Sequence, residues 1–131
     1  MPNKEKFTQT LKDGYSFKGE AAIIGVAMLD GAAITGVNIL LPLKTMNRHG
    51  LIAGATGTGK TKTLQLISEC LSDASVPVLL MDIKGDLSGI AEKGSLNEKI
   101  TDRYKLIGTE NKPAKYPSKL ITLAMETGFR Q

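Results

Sequence analysis

Between residues 54 and 61 the chain reads Gly54-Ala55-Thr56-Gly57-Thr58-Gly59-Lys60-Thr61, the Gly-x-x-x-x-Gly-Lys-Thr spacing of the Walker A pattern. Each fixed position has a chemical reason. Gly54 lets the chain turn out of a strand without a Cβ clash. Gly57 and Gly59 leave the loop open enough for successive backbone N–H groups to face one anion. A helix beginning near Lys60 adds unsatisfied N–H donors and the positive end of its dipole. Lys60 is placed for β- and γ-phosphates, and the Thr61 hydroxyl for a magnesium ion. Together with Thr63, residues 54–61 form the candidate nucleotide-binding set, with ATP and Mg²⁺ as the expected ligands.

Asp82 is a second magnesium candidate, because Val78-Leu79-Leu80-Met81-Asp82 has the form of an apolar strand ending in a carboxylate. Against that role, it ends the strand that directly follows the Walker A helix, and in many motor-type ATPases that strand lies away from the phosphate loop. In either case Asp82 sits on the strand edge where ligands bind in parallel sheets. Asp86, in the polar turn Lys84-Gly85-Asp86, is a candidate helix cap or nucleotide neighbour. After residue 82 no apolar strand ends in an Asp-Glu pair, and Ile121 to Met125 ends at Glu126 alone. The sequence therefore offers no group to orient an attacking water, and the catalytic residues are unknown. His49, the sole histidine, argues against a histidine metal site, and Arg48 and Arg103 read as surface charge. Cys70 reads as core rather than nucleophile.

The elements that must hold these residues follow from the apolar spacing. Phe7 to Leu11 suits a short helix broken at Asp13-Gly14. Two β-branched runs, Ala21 to Leu29 and Ile34 to Leu43, are separated by Asp30-Gly31 and predict a hairpin, with Pro42 marking an edge or strand exit. His49 to Ala53 predicts a short strand that runs into the loop. Residues 60–73 then predict a helix with Leu64, Ile67 and Leu71 on one face. Val76 to Met81 predicts a strand buried on both faces. Residues 95–106 predict a helix with Ser95 and Glu98 as a capping box, and Lys119 to Met125 a further strand. This order implies an α/β fold with a parallel P-loop sheet and right-handed crossovers. Residues 1–46 form an N-terminal hairpin segment, and 47–131 the N-terminal part of the P-loop domain.

Composition narrows the classes. With 131 residues, 41% hydrophobic and 23% charged, the chain can bury a core, and no apolar run is long enough to span a bilayer. One cysteine and no apolar segment after Met1-Pro2-Asn3-Lys4 point to the cytoplasm. The net charge of +4 is spread among acids, and 5% aromatics offer few stacking platforms for nucleic acid.

Two longer stretches carry a resemblance. Leu41-Pro42-Leu43-Lys44-Thr45-Met46-Asn47-Arg48-His49-Gly50-Leu51-Ile52-Ala53, running into the phosphate loop, is similar to bacterial YjgR-type ATPases of the HerA/FtsK group. So is Val76-Pro77-Val78-Leu79-Leu80-Met81-Asp82-Ile83-Lys84-Gly85-Asp86-Leu87-Ser88-Gly89-Ile90-Ala91. The resemblance implies a RecA-like core of the additional-strand type, ATP rather than GTP, and a hexameric, helicase-like ring moving along DNA. It also implies that Walker B, its glutamate and a finger arginine lie beyond residue 131, which leaves Asp82 outside Walker B. On this view the chain is the front of a larger ATPase (hydrolase). A nucleotide-dependent switch module is the alternative. A small phosphotransferase would need a lid and an acceptor site, and neither is legible.

Overall fold

The computed structural model describes residues 3–108 and 113–121. Helix α1 spans Lys4–Gly14 and starts where the Asn3 side chain accepts a hydrogen bond from the Glu5 N–H at 2.9 Å. Phe7 and Leu11, one turn apart, put its apolar stripe on the hairpin that follows. Strands β1 (Ala21–Leu29) and β2 (Ala32–Pro42) pair antiparallel, from Leu29 opposite Ala32 to Ala21 opposite Pro42. Asp30 and Gly31 have φ of 49° and 78°, the pair of left-handed residues that a two-residue type I′ turn needs. The register slips between Ile23 and Gly25 and again between Val26 and Met28, and such irregularities add twist to a two-stranded ribbon.

That twisted ribbon is the centre of the packing. Ala27, Ile34 and Val37 are its buried cluster, with Phe7, Leu11, Leu29 and Ile39 closing around them. Helix α2 (Lys60–Asp73) packs against β1, while α1 and α3 (Glu98–Ile107) pack against β2. Helix α3 meets the strand closely at its end. Gly108 caps it with φ 72°, and a Cβ there would stand 2.7 Å from Thr35 Cγ2. Among the described residues, no helix is long and apolar enough to cross a membrane.

Several expectations are met, and others shift. The hairpin and α2 lie where the spacing places them, and α1 is longer than Phe7 to Leu11. Helix α3 begins at Glu98 because the Asn97 side chain, not Ser95, accepts from the Ile100 N–H at 2.9 Å. The most buried residues of α2 are Gln65, Ser68 and Leu71, with Leu64 and Ile67 half-buried. This helix packs against β1, and its Gln65 also reaches residue 86, so its shielding does not follow the leucines alone. Residues 49–53 and 76–81 carry no strand, and the one sheet among the described residues is β1–β2. Leu51, Leu79 and Met81 stand 90%, 81% and 89% exposed, so the two-sided burial expected of 76–81 is not formed among the described residues. Residues 119–121 carry no strand, and the remainder of that expected element, with Glu126, lies outside the described residues.

The ribbon core sets the first test. Ile34→Ala should cost about 2–5 kcal/mol in denaturant unfolding, whereas the same change at exposed Leu51 should cost little.

Candidate functional site

The phosphate-loop residues lie at the N-terminus of α2, and the loop is shaped by its glycines. Gly57 and Gly59 have φ of 82° and 96°, left-handed conformations that a side chain would strain. Gly54 has a different reason: a Cβ there would lie 2.6 Å from the Thr58 hydroxyl oxygen. That hydroxyl donates to the Ala55 carbonyl at 2.7 Å, and the Lys60 ammonium donates to the same oxygen at 2.8 Å. The backbone N–H of Thr58 also points at it, at 3.4 Å. Ala55 O is therefore the internal anchor of the loop, and it folds the Lys60 side chain back over the loop.

Helix α2 differs from the other two helices at its start. Asn3 caps α1 and Asn97 caps α3, each with an acidic residue in the first turn. Gly59 gives α2 no side-chain cap, and its first turn holds no acid. The first-turn N–H groups are left without a capping side chain, and Lys60 and Lys62 add positive charge beside them. Such an end favours an anion electrostatically and by hydrogen bonding. The Thr61 side chain is exposed at this end. Thr63 turns inward instead, its N–H and hydroxyl meeting the Gly59 carbonyl at 2.9 Å and 3.3 Å. Ala55 and Thr56 complete the exposed loop.

Asp82 builds a second feature. One carboxylate oxygen accepts from the Lys84 N–H at 3.0 Å and the other from the Leu87 N–H at 2.8 Å. The Leu87 amide, joined by those of Lys84 and Gly85, holds this carboxyl below the usual carboxylate range against an opposing effect of desolvation. The turn it clamps contains Gly85 at φ 81° and buries Leu87. Asp86 caps no helix; its carbonyl accepts from the Gln65 side chain at 3.2 Å. Nothing in the sequence singles out Gln65. A glutamine on an amphipathic helix reads as solvent-facing, and its partner is 21 residues away.

The remaining candidates stay apart from the loop's chemistry. His49, Arg48 and Arg103 are exposed. Burial, with Asp73 and Glu69 nearby, pushes the half-buried Cys70 thiol up, which keeps it protonated and unreactive. No group of three or more His, Cys, Asp or Glu able to hold a metal occurs among the described residues.

The family described as helicase HerA-like C-terminal matches residues 28–131, from within β1 through the phosphate loop, and the chain belongs to that family. It is 30% identical over 105 residues to the DNA double-strand break repair helicase HerA of Saccharolobus solfataricus, an alignment covering 79% of this chain. The chain spans 20% of that relative's length. No solved structure matches it.

The Asp82 clamp makes a pH prediction. Because its folded pKa is depressed, its contribution is complete above the ordinary value of 3.8 and is lost as pH falls through the folded value. The Leu87 amide resonance should therefore shift with a midpoint below 3.8. Asp82→Ala should abolish that titration and speed amide exchange at Lys84 and Leu87.

Proposed function

We propose that residues 54–61 hold the phosphates of MgATP and that this chain is the nucleotide-binding part of a longer HerA-like P-loop ATPase. The observation that carries the reading is the uncapped, acid-free start of α2 behind two left-handed glycines. Backbone N–H groups of the loop and first turn would take the phosphate oxygens, with Lys60 exchanging Ala55 O for phosphate. Thr61 would hold magnesium, which neutralises phosphate charge when bound. Asp82, with both oxygens engaged by backbone N–H groups, is assigned to the 82–87 turn.

We propose likewise a parallel, RecA-like sheet of the additional-strand type, with residues 49–53 and 76–81 as strands flanking α2. The exposed Leu51, Leu79 and Met81 side chains are what neighbouring layers would cover. Kinship with a DNA repair helicase supports, for the whole protein, a helicase-like action on DNA; a cytoplasmic, ring-forming motor is the form we propose for it. The YjgR-type assignment refines the same proposal. Nucleotide hydrolysis would further require a carboxylate that orients water, and none is assigned among the described residues.

Calorimetric titration of MgATP into the chain and into Lys60→Ala tests the reading. Removing one charge-assisted contact should weaken binding about tenfold or more. Equal affinity of the two proteins would overturn the phosphate-loop assignment. Turnover recorded alongside would, if seen with this chain alone, place a catalytic carboxylate within these residues.

A further inference from the structure

Gln65 is only 7% exposed, yet both ends of its amide are engaged. Its oxygen accepts from the Lys62 ammonium at 2.8 Å, and its nitrogen donates to the Asp86 carbonyl at 3.2 Å. The partners fix the orientation of the amide, because an ammonium can only donate and a carbonyl only accept. Lys62 lies in the first turn of α2, directly behind the phosphate loop. Asp86 lies in the Asp82-clamped turn, next to the buried Leu87. Gln65 is about 7.5 Å along the helix from Lys60 at the usual rise of 1.5 Å per residue. A leucine or methionine would fill the same volume, so the amide's distinctive contribution is its direction.

The 82–91 segment has a second tie at its far end. The Ile90 carbonyl accepts from the Tyr116 N–H at 3.1 Å, and the Tyr116 hydroxyl lies 3.4 Å from the Asp73 carboxylate at the end of α2. Between these ties the contact that reaches back toward the phosphate loop is the Lys62–Gln65–Asp86 relay. We propose that Gln65 is a positioning residue that couples occupancy of the phosphate loop to the order of residues 82–91. The proposal rests on nucleotide binding at the loop. A bound phosphate orders the first turn of α2, and the relay carries that order to the clamped turn.

The test is hydrogen–deuterium exchange of residues 82–91 in the whole chain, with and without saturating MgATP, alongside calorimetry. Wild type should slow its exchange about threefold or more on binding, within the range one ordinary hydrogen bond supplies. Gln65→Met keeps the volume, and Gln65→Glu keeps the acceptor for Lys62 but loses the donor to Asp86. Both should bind MgATP within about threefold of wild type and lose the nucleotide-dependent slowing. A purely structural role would raise exchange equally in both states and leave the slowing intact, which overturns the coupling. Wild type that binds without slowing overturns the coupling alone, even if a variant fails to fold. Wild type that does not bind overturns the nucleotide reading and the coupling with it.

Discussion

The geometry of this site depends on one backbone constraint, the left-handed Gly59 immediately before Lys60. A residue with that φ can deliver the chain into a helix without offering a side chain to its first turn. Asn3 and Asn97 do the opposite for α1 and α3: each closes one of the free N–H groups, worth roughly 1 kcal/mol per cap. The chain forgoes that stability at α2 and leaves the donors available. Positioning these donors is then a packing problem, solved by laying α2 along β1 of a ribbon that has its own core.

The polar contacts of the helices differ in weight. The Lys105–Asp102 pair at 3.5 Å is fully on the surface, where such pairs contribute little. The Gln65 amide is buried and satisfied at both ends, so losing either partner would strand a shielded polar group. Ser68 is equally buried and returns its hydroxyl to the Leu64 carbonyl at 2.8 Å, closing locally what Gln65 opens to a neighbour. Among the described residues no buried side-chain polar atom lacks a partner. The helix end is treated as carefully. Ser75, at φ 60°, allows the Val76 N–H to reach the Leu71 carbonyl at 2.9 Å, a Schellman closure that ends α2 and turns the chain out.

Much of this was legible because it is local. Asp30-Gly31 between two β-branched runs specifies its own turn, and the Walker A spacing specifies both a loop and the helix after it. What the sequence did not disclose depends on distant partners. Gln65 becomes a buried group only once residue 86, 21 positions away, is beside it. Asp82, readable as a metal ligand, accepts from the nearby Lys84 and Leu87 amides, a local turn that its place at the end of an apolar run did not announce. The capping of α3 turned on which of two polar residues stood at the right dihedral angle, and Asn97, with φ −124° and ψ 169°, did. Sheet pairing of 49–53 and 76–81 is the most non-local expectation, and the ladder among the described residues belongs to the hairpin.

The exposed apolar run has a consequence for how the chain survives its own synthesis. Val76 to Met81 carries no charge and no polar side chain, so apart from Pro77 it has the composition of an aggregation-prone window. Proline at 77 and the charges at Asp73, Asp82, Lys84 and Asp86 flank or interrupt it as gatekeepers do. Asp82 therefore serves the nascent chain as well as the folded one. Before its turn closes, its charge discourages neighbouring chains from pairing with the apolar run before it.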